Sequence, residues 1–346
     1  RASGLYRAAP NKERAVTHAP IRWGIVGTGD IAGQFASALA DTEEAALVAV
    51  GSRAVATAES FAAQRGNARA YGSYDGVFAD SAVDIVYVAT PHVLHRPNTL
   101  AALAGGKAVL CEKPFALNAD QARTMVAVAR FNEVFLMEAM WSRFLPSLQK
   151  AKELITSGTI GDLRMIHADL GFRADLNPDS RLFDPSLGGG ALLDVGVYTV
   201  SLASFLTGKQ PDRISSDAHL GATAVDEQSA MIFHYPDGLL AVLSTAIRTQ
   251  TRHEAILYGT EGMMTLEFAW WSGSSISVKA GGKEEERIEV PMVGNGFNYE
   301  IAEASRCISD GRLESEILPH DESVAIMETL DTIREQWGLT YPQERS

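Results

Sequence analysis

The stretch "GIVGTGDIAG" at 24–33 constrains the chain more than any other. It closes an apolar run, "IRWGIVG" (21–27), and opens a helix-like run, "DIAGQFASALADT" (30–42). Gly27-x-Gly29-x-x-Ala32 between a strand and a helix is the spacing of a dinucleotide-binding turn. Gly27 permits the tight turn, Gly29 lets a pyrophosphate approach the helix N-terminus, and Ala32 allows close helix–sheet packing. Thr28, Asp30 and Ile31 belong to the same turn. The alternative is a tight turn that serves structure only.

The next segments keep the alternation. Strands are predicted at 45–52, 83–90, 107–112 and 134–140. Helices are predicted at 54–66, 95–106 and 118–132, with Gly66 closing the first and Asn118 capping the last. Short buried strands between longer helices predict a parallel sheet covered on both faces. The second half changes character: a helix over 145–158 and another within 186–208, then mostly strands from 215 onward. Period-2 alternation with Asp-Gly, Glu-Gly and Gly-Gly turns predicts an open, mainly antiparallel sheet of about six strands. Helices follow near 298–311 and 321–337. The expected fold is α/β: a dinucleotide-binding, parallel-sheet domain over 21–143 and a second domain, with the mainly antiparallel sheet, over 144–346. Residues 1–20 show no periodicity and are expected to form a flexible tail; a chain opening on Arg1 is expected to be trimmed or processed.

Charge and composition exclude some functions. The net charge is −13 and no Lys/Arg run interrupts it, which argues against a nucleic-acid surface. No apolar run approaches the ~18 residues of a membrane span. Cys111 and Cys307 could form one bridge, but Cys111 sits in an apolar strand and reads as a small buried hydrophobe. A reducing cytoplasm is the simpler expectation.

Candidate site residues gather at predicted strand ends. The second strand ends in Ser52 and Arg53, where a carboxylate would accept from the ribose 2′-hydroxyl of NAD. A guanidinium there suits the 2′-phosphate of NADP; otherwise Arg53 is a solvated helix-start residue. The third strand ends in Thr90, Pro91 and His92, with His95 one turn on, and is expected to approach the nicotinamide ribose. The two histidines have no further ligand at metal spacing, so no metal is expected. In "VLCEKPF" (109–115), Glu112 and Lys113 follow a buried strand at the same sheet edge as the glycine turn. Glu112 reads as structural or ribose-facing. In "LLDVGVYTV" (192–200), Asp194 and Tyr198 are four apart and share a helix face among apolar neighbours. A Lys beside a Tyr favours the phenolate and would draw its pKa down from ~10, creating a proton-transfer pair for hydride chemistry. A buried Tyr bonded to a capping Asp is the plainer alternative. Trp141, Arg143 and Phe144, and further on Phe172 and Arg173, either line a substrate pocket or pack the two domains together.

The glycine turn, "EKP" at 112–114 and Asp194-x-Gly196-x-Tyr198 together resemble the glucose–fructose oxidoreductase / inositol dehydrogenase-like family, over nearly all of 21–342. "GGGALLDVGVY", "MEAMWSRFLPS" and "LTYPQE" are similar to its branch of dimeric dihydrodiol dehydrogenases and NADP-dependent D-xylose 1-dehydrogenases. The segment "AVATAES" lacks a second basic residue found in the NADP-specific branch. The resemblance implies Lys113 and Tyr198 as a catalytic pair, Asp194 as their acidic partner, and Lys113, Trp141, Arg143, Phe172, Asp194 and Tyr198 around the substrate. It implies an N-terminal Rossmann domain, a C-terminal α/β domain for substrate binding and oligomerisation, NADP with NAD possible as an alternative, and a homodimer or higher homo-oligomer through the C-terminal sheet. The expected function is hydride transfer to or from a sugar, cyclic polyol or dihydrodiol carbon. The rival is a nucleotide-binding sensor without turnover on the same fold.

Overall fold

A computed structural model describes residues 19–344. The expected tail lies almost wholly outside the described residues. Sheet A contains β1 (Ile21–Val26), β2 (Ala45–Gly51), β3 (Arg69–Tyr71), β4 (Ile85–Val88), β5 (Ala108–Glu112) and β6 (Leu136–Ala139). Their order is β3-β2-β1-β4-β5-β6, all parallel. The connecting helices are α1 (Asp30–Ala40), α2 (Val55–Ala63), α3 (Tyr74–Phe78), α4 (His95–Ala104) and α5 (Ala119–Phe131). Every residue of β4, β5 and β6 is buried. Their apolar runs are continuous because helices cover both faces. Each fully buried Val, Ile or Leu there contributes roughly 1.5–3 kcal/mol of transfer free energy. Asn118 caps α5 by accepting from Gln121 N at 2.9 Å, as its sequence predicts.

Sequence periodicity missed β3 and α3, which are too short to show it. The second half begins with α6 (Pro146–Thr156) and β7 (Leu163–Gly171), then a π-helical turn, Leu192–Gly196, running directly into α7 (Val197–Thr207). β8 (Arg213–Leu220), β9 (Asp226–His234), β10 (Leu240–Ala246), β11 (Ala255–Gly259), β12 (Gly262–Leu266), β13 (Ser275–Ala280) and β14 (Glu286–Glu289) follow. Sheet B therefore has eight strands rather than about six, ordered β14-β13-β12-β11-β7-β10-β9-β8. It is antiparallel except where β7 pairs with β10 in parallel. α8 (Phe297–Ser309) and α9 (His320–Trp337) then return to the first half. Asn295 donates to Gln34 O within α1, and Arg123 and Arg130 of α5 pair with Glu328 and Asp321 of α9.

One expectation changes, and the reading of Cys111 as a small buried hydrophobe holds. The stretch Pro185–Thr207 does have the length and hydropathy of a membrane span, but 94% of its apolar window is buried inside the fold, as befits a core helix. Cys111 and Cys307 are both free and buried, so they form no bridge.

Candidate active site

The glycine turn has two unlike glycines. Gly27 adopts φ 97°, and a Cβ there would lie 2.4 Å from Ala89 O, so only glycine fits. Gly29 has extended backbone at the α1 N-cap, offers the helix no side-chain cap, and a Cβ on it would meet nothing within 4 Å. Open space thus faces a helix N-terminus whose first amides need partners, which fits a cofactor pyrophosphate. Beside it, Thr28 Oγ1 and Ser52 Oγ lie 3.2 Å apart, and Arg53 is exposed just beyond β2. Asp30 is exposed, Ile31 half-buried, and Pro91 exposed at the end of β4. A surface groove of about 770 Å³ leads from Thr28–Asp30 between α1 and α2 to Phe61 and Arg65. It adjoins the turn and does not include the lysine–tyrosine cluster.

That cluster lies where β5 of sheet A meets the π turn of the second half. Lys113 Nζ donates to the Asp194 backbone carbonyl at 2.7 Å and is 3.7 Å from Asp194 Oδ1. It also lies 4.9 Å from the Tyr198 ring centroid. The π turn matters here: Val197 N–H reaches back five residues to Leu192 O, the wide register of such a turn. Asp194 presents both its carbonyl and its carboxylate to Lys113. The turn is pinned at its start, where Leu192 N donates to Asp226 Oδ2 at 2.6 Å. Gly190, at φ 119°, leaves room for that carboxylate; a Cβ would sit 2.2 Å from Asp226 Oδ1. Tyr341 Oη donates to Gly189 O at 2.8 Å from the far end of the chain.

Charges decide protonation. Burial would raise the Asp194 carboxyl, but Lys113 first and Arg181 next outweigh it and hold the group at about 2. Arg181 NH1 lies 2.7 Å from Asp194 Oδ1. Tyr198 is displaced opposite to expectation. Burial first, then Glu112, Asp194 and Glu300, push its pKa well above the ordinary phenol value. Lys113 faces the ring and bonds Asp194, so it does not draw out the phenolate. The phenol oxygen accepts a hydrogen bond from Trp141 Nε1, at 2.8 Å.

Several expected site residues have structural roles instead. His95 is fully buried, with Nε2 2.9 Å from Thr90 O and Nδ1 2.8 Å from Pro114 O, so it ties two strand ends together and does not face a cofactor. Burial outweighs both carbonyls and pulls its pKa down to about 4, so the neutral ring donates to one of them. His92 is buried with Nδ1 3.0 Å from Gly188 O, and burial pulls its pKa to about 3. Thr90 is largely buried and its hydroxyl accepts from Asn98. Glu112 accepts from Tyr87 Oη and from Lys113 N, so it is structural rather than ribose-facing. Arg143 is 2% exposed and binds Ser201 and Glu322, which corrects its placement at the substrate. Phe172 is half-buried against the core beyond β7, and no described contact joins it to the cluster. Arg181, the Trp141 donor and Glu300 were not anticipated; each acts through a partner distant in sequence, and no local pattern announces them. Among the described residues no group of acidic, His or Cys side chains could hold a metal.

Residues 21–140 match the oxidoreductase family GFO/IDH/MocA, NAD-binding Rossmann fold, and 148–265 match the GFO/IDH/MocA C-terminal domain. The chain is 38% identical to trans-1,2-dihydrobenzene-1,2-diol dehydrogenase of Mus musculus, over 94% of this chain and 99% of that protein. Identity to the Homo sapiens enzyme of the same name is 36%, with the same coverage. Among solved structures it is similar to an aldose-aldose oxidoreductase from Caulobacter crescentus complexed with glycerol: TM-score 0.85, 26% identity, 92% and 98% of the two chains. A 3-ketoreductase from Actinomadura kijaniata in complex with NADP and TDP-benzene matches at TM-score 0.82 and 25% identity, over 91% and 97%. With both halves matched and 94% of the chain aligned to a dehydrogenase, the chain belongs to the GFO/IDH/MocA family and is an NAD(P)-dependent oxidoreductase acting on CH–OH groups.

Proposed function

We propose that the protein is an NADP(H)-dependent oxidoreductase that moves hydride to or from a sugar, cyclic polyol or dihydrodiol carbon, in carbohydrate metabolism. The observation that carries this is the convergence of Lys113, Asp194 and Tyr198 beside the β5 edge of the sheet that also bears the open Gly29 turn. When bound, a nicotinamide supplies the hydride chemistry. Tyr198 carries the proton to or from the substrate oxygen. Lys113 and Asp194 hold the hydroxyl-bearing substrate next to it, and Arg181 keeps Asp194 charged. The dihydrodiol dehydrogenase and aldose oxidoreductase relatives support the substrate class. Exposed Arg53 and the Thr28–Ser52 hydroxyl pair support NADP over NAD, since no carboxylate stands at the end of β2.

In this reading residues 21–143 bind the dinucleotide, and 144–346 bind substrate and oligomerise. The outer face of sheet B supports a homodimer. Ile232 and Val242 are directly paired there, and Val242 is in turn paired with His167 and His167 with Ile256. Ile232 and Val242 are exposed. A cytoplasmic location completes the proposal, supported by the two unpaired buried cysteines.

Tyr198→Phe and Lys113→Ala, assayed by nicotinamide absorbance against aldoses, inositols and dihydrodiols, are expected to lower kcat/KM about 10²–10⁴-fold. Unchanged turnover in both would sink the mechanism. Arg53→Ala is expected to erase the preference for NADP in direct binding measurements; an unaltered preference means Arg53 does not touch the 2′-phosphate.

A further inference from the structure

The Tyr198 oxygen is held by a donor that cannot move aside. Trp141 Nε1–H reaches it at 2.8 Å. The indole is 8% exposed and stacks on Phe297, with ring centroids 4.9 Å apart and planes 20° from parallel. Behind it, Gly296 turns at φ 96°, and a Cβ there would stand 2.6 Å from an indole carbon. Phe297 packs edge-on against Phe35 of α1 at 6.3 Å. The indole is thus clamped between elements from both halves of the chain.

Chemistry gives this contact one polarity. An indole N–H donates and never accepts. The Tyr198 oxygen must therefore accept, and its own O–H has to point elsewhere. The tyrosine proton cannot rest on Trp141. Every acidic group acting on Tyr198 opposes a phenolate: Glu112 at the end of β5, Asp194 in the π turn and Glu300 in α8. Lys113 faces the ring, and its shortest contact is the Asp194 carbonyl. The buried Tyr87 hydroxyl is committed to Glu112. The indole N–H is the hydrogen bond left to support negative charge on the oxygen.

We propose that Trp141 is a positioning residue for proton transfer, aiming the Tyr198 O–H at the substrate oxygen and stabilising the phenolate left behind, so that the resting site is set for carbonyl reduction. This rests on Tyr198 being the proton carrier. In the reducing step the carbonyl carbon accepts hydride from a reduced nicotinamide and forms a C–H bond. The carbonyl π pair moves to oxygen, which takes the Tyr198 proton as the phenol O–H bond breaks. The phenolate, bonded to the indole N–H, later regains a proton from solvent. Oxidation passes through the same atoms in reverse and must begin from the phenolate. A ring of equal shape without an N–H would keep the stack and leave that charge unsupported in a buried place.

The test replaces Trp141 with benzothienylalanine, in which sulfur stands for the N–H, alongside Trp141→Phe. Both retain an aromatic face for Phe297. Carbonyl reduction and alcohol oxidation are followed across pH, and the phenolate is titrated by ultraviolet absorbance with cofactor bound, using Tyr198→Phe to assign the signal. The pH limbs of both directions, and the phenolate titration, are expected to move together to higher pH by about 1–2 units, the worth of one hydrogen bond to a charged group. Cofactor affinity is expected to stay as in the wild type. Unmoved limbs and titration in the folded, cofactor-binding benzothienylalanine protein would overturn the proposal, leaving Trp141 as a pocket wall. Full activity and an unchanged pH profile in Tyr198→Phe would instead remove the proton-carrier reading beneath it.

Discussion

The fold brings Tyr198 and Lys113 together, yet it reverses the electrostatic argument that first paired them. Their spacing to Asp194 and the glycine turn was legible, because a lysine after a buried strand and an Asp/Tyr pair on one helix face are local patterns. The direction of the Tyr198 shift was not. It depends on burial and on Glu112 and Glu300, which only the folded chain brings near. The consequence is a pH asymmetry. A phenol raised well above its ordinary pKa stays protonated through the neutral range, so reduction, which uses the phenol, should be flat there. Oxidation needs the phenolate, whose fraction rises tenfold per pH unit below its pKa, so kcat/KM for the alcohol should climb about tenfold per unit between roughly pH 6 and 9. Initial-rate profiles in both directions check this; a plateau in oxidation near neutrality would mean the phenol is not the titrating group. Arg181 was invisible for a different reason: it lies in the irregular segment between β7 and the π turn, where no periodicity singles out a residue.

At the level of elements, the alternating first half was readable because strands buried on both faces are continuous apolar runs. β8 was not, since "RISSDAHL" is a polar edge strand with mixed exposure. β7 was missed although Ile166, Ala168 and Leu170 alternate with Met165, His167 and Asp169; the His and Asp obscure a pattern that the structure seats at the centre of sheet B. The π turn had no sequence signature beyond a glycine at its end. The glycine turn permits a clean experiment at this scale. Gly29→Ala adds a methyl group that touches nothing in the protein but enters the space in front of the α1 N-terminus. Thermal unfolding of the cofactor-free protein should be nearly unchanged, while NADP affinity falls roughly tenfold or more, the effect of losing one charged hydrogen bond. Calorimetric binding and a melting curve on the same sample separate the two; intact affinity would place the pyrophosphate elsewhere.

The whole molecule is less divided than its sequence. The change of pattern near 140–145 was legible, but the return of α8 and α9 onto the first half was not, because helix amphipathicity tells which face is buried and not against what. Among the described residues, the eight-stranded sheet leaves Ile232 and Val242 exposed on its outer face. Stable pairing needs about 800 Å² on each partner, and a row running from Ile232 through Val242 to Ile256 supplies the apolar centre of such a patch. Sedimentation should show a dimer that Ile232→Glu with Val242→Glu converts to monomer; a monomeric wild type would refute the dimer. One feature at the far end of the chain bears on how the enzyme comes into being. Glu344 binds Asn118 and Arg334, Arg334 reaches Leu117 O, and Tyr341 holds the glycine loop that leads into the π turn. Ribosomes deliver residues 21–143 before residues 334–344. The loop that leads into the π turn therefore gains its Tyr341 contact only after the nucleotide-binding half has been made.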